Sequence, residues 1–273
     1  MNRPAMRRKS KRRRWLEPQS SISPRLYLAL TLSSFALLLA VWSLLTYGGI
    51  VDKLFLPSPS KIVESGITLF TEFDFIQDIL ATVYRVLVGF VLAFLVGSAL
   101  GVLIGTYKAL EAFFEPMISF VRYMPVSAFI PLFILWIGVG DVEKISVIFF
   151  GSLFSIVLMT AVEVGGVRRE LLEASYTLGS SPLGVLRSVI LPASLPGMME
   201  IARLVLGWAW TYIIVAELVA ASTGIGHVII ESQRMLRTSN IIYGILTIGV
   251  LGLITDLILK RAIRGMFPWN YGR

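Results

Sequence analysis

Ionisable side chains set inside or beside apolar stretches are the residues of this sequence best placed to do chemistry. Arg122, Glu163, Glu200, Arg203, Glu217 and Asp256 occupy such positions. A charge there is costly and is usually kept for a proton relay, an ion site or a solute route. Several have plain explanations. Asp256 and Lys260 stand four apart near a helix end with the acid first, a favourable pair. Glu200 and Arg203, three apart, neutralise each other, while Arg122 and Glu163 read as helix-end charges that snorkel to the surface. Glu217 has no local partner and stays a candidate for a gate or route. His227, the only histidine, reads as a capping or packing residue. No GxxxxGKS/T phosphate loop, HExxH, GxSxG or GxGxxG motif occurs, and no defensible catalytic pair of carboxylates emerges. With no cysteine, disulfides, thiol chemistry and Cys/His metal sites are excluded. The chain reads as a non-enzyme without a cofactor or metal of its own.

The elements that position these residues are membrane spans. Of 273 residues, 56% are hydrophobic and 15% charged, with a mean hydropathy of +0.78, which no ordinary soluble domain reaches. Apolar runs fall at 26–45, 86–104, 123–140, 145–162, 204–216 and 241–255. A bilayer core of about 30 Å needs ~20 helical residues, so with their flanks these runs predict an all-α integral membrane protein of about six transmembrane helices. The net charge of +8 sits in residues 1–25, which hold nine Lys/Arg against Glu17; the remainder has sixteen of each sign. That basic tail reads as a topology determinant with some attraction to lipid headgroups, not as a nucleic-acid site. With both termini cytoplasmic, seventeen Lys/Arg fall inside and five outside, the asymmetry expected of cytoplasmic loops. The expected organisation is a tail over 1–25, a transmembrane domain over 26–267 and a short tail over 268–273. No cleavable signal is read at the first span.

Local patterns refine this plan. Ser58-Pro59 starts a helix, and Ile62, Val63, Ile67 and Phe70 are expected to share the face that lies along the outer membrane surface. Gly89, Ala93, Gly97, Gly101 and Gly105 recur every four residues, a stripe that lets a neighbouring backbone approach closely. Pro125 and Pro131 break the third span, which makes it a kinked helix or a lining of a transport route. Arg122, Tyr123, Pro125, Ser127, Trp208 and Glu217 are the route candidates.

One polar stretch, 164–194, interrupts the apolar pattern: VGGVRRELLEASYTLGSSPLGVLRSVILPAS. A charged amphipathic helix over 168–178 is followed by Gly179 at a sharp turn, then by Ser181-Pro182 restarting a second helix. Pro192 is expected to stop that helix and send the chain back into the bilayer. Such a handle suits a soluble partner. Glu173-Ala174-Ser175, three residues, Gly179, nine residues and Val189-Ile190-Leu191-Pro192 resemble the EAA-x3-G-x9-I-x-L-P motif of permease subunits in binding-protein-dependent ABC importers. Ser175 replaces an alanine and Val189 an isoleucine, both conservatively. Leu56–Ser60, Arg85–Phe90, Arg122–Asp141, Ala216–Gly226 and Phe267–Trp269 are similar to the nitrate/sulfonate/taurine/bicarbonate branch. The resemblance implies a multi-pass protein of the bacterial plasma membrane and a route for a small anion. It implies partners: cytoplasmic subunits that bind ATP, a second permease copy or close relative, and an extracytoplasmic binding protein. It places Glu173, Ala174, Ser175, Gly179, Leu191 and Pro192 in the segment that meets the ATPase. The competing expectation is an ATP-independent transporter or channel using Glu217, Glu200 or Asp256.

Overall fold

The computed structural model describes residues 22–270, so the basic tail lies almost wholly outside the described residues. Among these, every regular element is helical: α1 (Pro24–Tyr47), α2 (Pro59–Glu72), α3 (Phe75–Thr106), α4 (Lys108–Arg122), α5 (Ile130–Ile137), α6 (Asp141–Gly165), α7 (Arg169–Thr177), α8 (Pro182–Val185), α9 (Leu191–Ala220), α10 (Ile225–Arg234) and α11 (Thr238–Met266). A 3-10 turn, Val126–Phe129, precedes α5, and a π-helical turn, Leu186–Ile190, joins α8 to α9. Five helices are long and apolar enough to cross a membrane, or six if α4 and α5 form one bent span. The chain divides into two compact units, Met1–Lys61 and Ile62–Arg273.

In the first unit Ser23 caps α1, its hydroxyl accepting from the Leu26 amide at 3.3 Å. Apolar side chains of α1 are exposed all round the helix, and only Thr46 is buried. The chain beyond α1 is tied back by two bonds. Trp42 Nε1 donates to the Pro57 carbonyl at 3.1 Å, and the Tyr47 hydroxyl donates to Ser60 Oγ at 2.8 Å.

In the second unit α3 packs along α6, and α9 packs against both. The small-residue stripe is the reason. A Cβ added at Gly101 would lie 2.6 Å from Thr160 Cβ and 2.7 Å from the Val157 carbonyl oxygen, and one at Gly97 would meet Ile156 at 2.9 Å. Val86, Phe90 and Ala93 of α3, Ile148 and Ile156 of α6, and Ile201 to Ile213 of α9 form the largest core cluster. Arg203 bridges α9 to α11 through Asp256 (Nε to Oδ1, 2.5 Å), and Trp210 Nε1 donates to Thr255 Oγ1 at 3.1 Å. Asp256 therefore serves Arg203 rather than the expected Lys260.

Three expectations change. The apolar residues of α2 do not form one face: Ile62, Gly66 and Leu69 are buried, Gly66 against the Tyr243 ring, while Val63, Ile67 and Phe70 are exposed. The third span is not one helix over 123–140. That run holds the break after α4, the 3-10 turn and α5, and the chain bends by 84° between α4 and the helix that follows the break. Pro125 sits in that break, whereas Pro131 occupies the first turn of α5 and starts it rather than kinking it. Pro192 does not stop a helix either. Residues 182–219 form one continuous helix of 38 residues. The widened π turn just before Pro192 accommodates a ring that would clash with the preceding turn and a nitrogen that cannot donate.

Replacing Gly101 with Leu forces a side chain into the Thr160 side chain and the Val157 carbonyl. The expected result is a loss of about 1–3 kcal/mol of stability from overpacking, read as a lower unfolding temperature in detergent. Gly265→Leu, at a position with open space around it, is the control and leaves that temperature unchanged.

Candidate functional site

The 164–194 segment runs from the end of α6 through one short helix, α7, and the turn at Gly179 into the start of the continuous 182–219 helix. Leu172 of α7 and Val167 pack on a small cluster made by Val102, Val164, Val185, Leu186, Ile190 and Met198. This seat fixes α7 while its outer side stays bare: Glu173 and Ala174 are exposed, Tyr176 is half exposed and Leu178 is 87% exposed. Gly179 turns the chain with φ +83°, a left-handed conformation that a side chain resists. Ser175 Oγ donates to Ser180 Oγ across the turn at 2.9 Å, and Ser181 Oγ caps α8 by accepting from the Gly184 amide at 3.2 Å. Leu191 is partly buried against the same cluster and Pro192 is exposed in the first turn of α9.

At the opposite end of the bundle lies a buried ionic clamp. Arg85 of α3 is 4% exposed and Glu217 of α9 is fully buried; Arg85 Nη1 to Glu217 Oε1 is 2.7 Å. The guanidinium also donates to Asp141 Oδ1 at 2.7 Å, to the Thr223 carbonyl at 2.8 Å and to Thr223 Oγ1 at 2.8 Å. Glu217 accepts further bonds from Thr82 Oγ1 at 2.9 Å and from the Gly226 amide at 2.9 Å. Asp78 accepts from the Gly224 amide at 2.6 Å, and the Ile225 amide donates to Thr82 Oγ1 at 2.9 Å. The clamp thus joins α3, the start of α6, the end of α9 and the start of α10. Glu217 faces no open surface. Lys144 is buried beside Glu143, Nζ to Oε2 3.1 Å. The ATP-independent reading loses its carboxylates, since Glu217, Glu200 and Asp256 are each paired with an arginine inside the subunit.

Arg122, Tyr123, Pro125 and Ser127, four of the remaining route candidates, lie at the break between α4 and α5. Arg122, the last residue of α4, is exposed, with its Cζ 5.3 Å from the centroid of the Tyr123 ring. Tyr123 is 78% exposed. Ser127, Thr211, Tyr212 and Val215 line a cavity of about 190 Å³ with Val126, Ile130 and Val147. Trp208, one turn before Tyr212, is half exposed on α9. Arg122 is not at the end of the bundle that carries α7. Val121 lines a crevice with Leu153 and Phe154, and Val126 faces Gly151, so Arg122 is level with the middle of α6. Leu153 stands twelve residues from either end of that helix, about 18 Å away. Glu163 also stays within the bundle, lying across α9 where a Cβ on Gly197 would come 2.0 Å from its Oε1.

Residues 89–267 match the family model described as binding-protein-dependent transport system inner membrane component. The chain belongs to that family. As such a component it is a multi-pass inner-membrane transport protein and is not itself a catalyst. This permease component is 37% identical to a probable ABC transporter permease protein of Brucella abortus (strain 2308), over 89% of this chain and 96% of that one. It is 30% identical to the taurine transport system permease protein of Escherichia coli (strain K12), over 96% of this chain and 95% of that one. The MetNI methionine ABC transporter in an inward-facing conformation shares its fold, with a TM-score of 0.63 at 20% identity, covering 70% of this chain and 94% of that one.

Sequence inspection missed Arg85 as the partner of Glu217, which lies 132 residues away. The signal was present: an acid without a local partner and a lone arginine early in an apolar helix. Arg85→Ala leaves the Glu217 carboxylate buried and unpaired, and the expected cost is about 3–5 kcal/mol. Arg85→Met combined with Glu217→Leu is expected to cost less than the two single losses added together. A double-mutant cycle on chemical unfolding in micelles measures both.

Proposed function

We propose that this permease forms half of the translocation route of an ATP-driven importer for a small anion. Two copies, or one copy and a close relative, enclose the route between them. Cytoplasmic ATPase subunits bind below, and an extracytoplasmic binding protein delivers the solute from above. The Lys/Arg asymmetry supports an orientation with both termini and α7 on the cytoplasmic side. A relative that carries taurine in its name supports a sulfonate-type or similar small oxyanion.

The observation that carries this reading is the bare outer side of α7. Glu173, Ala174, Tyr176 and Leu178 are displayed on a helix that Leu172 anchors firmly from behind. Exposed apolar groups beside a carboxylate, outside the spans, make a surface for a protein groove. In this role Glu173 and Ala174 touch the ATPase, Ser175 and Gly179 set the turn, and Leu191 and Pro192 begin the helix that returns through the membrane. ATP-driven closure of the ATPases brings the two α7 segments together and tilts the bundles between two states. Hydrolysis and the ATP site belong to the partner.

Glu173→Lys, and separately Gly179→Leu, are expected to lower ATPase co-purification about tenfold or more, equivalent to ~1.4 kcal/mol, and to abolish uptake. Membrane insertion stays intact. Normal uptake by both variants removes the role given to α7. Uptake that continues without ATP and collapses with the proton gradient overturns the importer reading itself.

A further inference from the structure

Arg122 is the one strongly charged group of the described spans that faces outward at mid-membrane with no acid beside it. The depth comes from its neighbours. α6 has 25 residues, about 37 Å, slightly more than the hydrocarbon thickness of roughly 30 Å. With its two ends at or beyond the core boundaries, its midpoint lies within about 4 Å of the bilayer centre. Residues on either side of Arg122 pack at Gly151, Leu153 and Phe154, which brackets that midpoint.

A guanidinium never loses its charge in a protein and carries five donors. Here its only described interaction is with the Tyr123 ring. Glu115, the nearest acid toward the α7 end on the same side of α4, is two turns away, about 10 Å along the axis. Facing hydrocarbon, this group is untenable; such charges in spans face the bundle interior or a watery cavity. Two other features favour water. Lys108, Glu111 and Glu115 follow at helical spacing on the Arg122 side of α4 and line a crevice of about 350 Å³ against α6, so three charged residues precede Arg122 on this side, with Ile118 between Glu115 and Arg122. Beyond the break, Ser127 lines the 190 Å³ cavity together with Thr211 and Tyr212.

We infer that Arg122 is an anion-binding station halfway along the route, holding the oxyanion head of the solute by charge-assisted hydrogen bonds while Ser127 lines its approach. This rests on the route reading given above and adds a residue, a depth and a sign of charge. A route through low-dielectric walls concentrates ions of one sign. The guanidinium fork fits two oxygens of a sulfonate, nitrate or carboxylate at once. Exposure along the route keeps binding reversible, as passage requires.

The chain has no cysteine, so a single introduced thiol reports without background. The test uses Ser127→Cys in the full transporter, assembled with its ATPase and binding protein in membrane vesicles. Modification rates are compared for anionic sulfonatoethyl methanethiosulfonate and cationic trimethylammonioethyl methanethiosulfonate. The anionic reagent is expected to be favoured about tenfold with Arg122 present. That preference is lost in Arg122→Gln and kept in Arg122→Lys, which carries the same charge and controls for folding. An unreactive thiol, or a preference indifferent to the charge at 122, overturns the inference. ATP hydrolysis stimulated by the binding protein is read in the same vesicles. A charge-dependent preference without such stimulation leaves the anion station standing and removes the importer reading instead.

Discussion

Hydrocarbon gives two apolar helices no reason to touch, so the bundle depends on how closely α3 and α6 approach. Along that seam the α3 side offers almost no side chain, and α6 fills the space with Ile148, Ile156 and Thr160. Dispersion between well-packed atoms replaces the hydrophobic drive that water would supply. The rest is hung on α6. Its first residue, Asp141, receives Arg85; Gly151 receives the Tyr212 ring and Val126; its last turn leads into α7. Displacing α6 by a side chain's width would move the clamp, the break and the exposed short helix together.

The clamp solves a different problem. The segment after α9 must turn and restart as α10 with backbone amides that need acceptors at the edge of an apolar bundle. Glu217, Asp78 and Thr82 accept those of Gly226, Gly224 and Ile225, and Arg85 supplies the balancing charge. A carboxylate taken so far out of water stays only when every lone pair is occupied. The polar groups here therefore specify the geometry of a turn.

Much of this was legible in the residues. The long apolar runs placed the spans, the small-residue stripe marked the α3 seam, and Ser181-Pro182 and Gly179 marked the turn and cap around α7. What escaped notice has a common cause. Hydropathy discounts helices that carry charges, so α4, with Lys108, Glu111, Glu115 and Arg122, did not register as part of a span, although Phe114, Met117 and Val121 line an apolar crevice against α3 and α6. Local spacing also proposes the wrong partner when the true one is distant. Asp256 was matched to Lys260 four residues on, yet Arg203 reaches it from another helix 53 residues away. Family similarity carried the class of the protein, but depth and facing at Arg122 required coordinates.

The π turn before Pro192 has a mechanical meaning. Because the helix runs unbroken from Pro182 to Val219, it is a single strut of about 57 Å, longer than the bilayer is thick. One end carries the foot next to Gly179 and the other ends beside the Arg85 clamp. With no loop to absorb slack, a few degrees of lean at the foot become several ångströms of sweep at the far tip. A proline that had halted the helix would have put a flexible joint between those two ends.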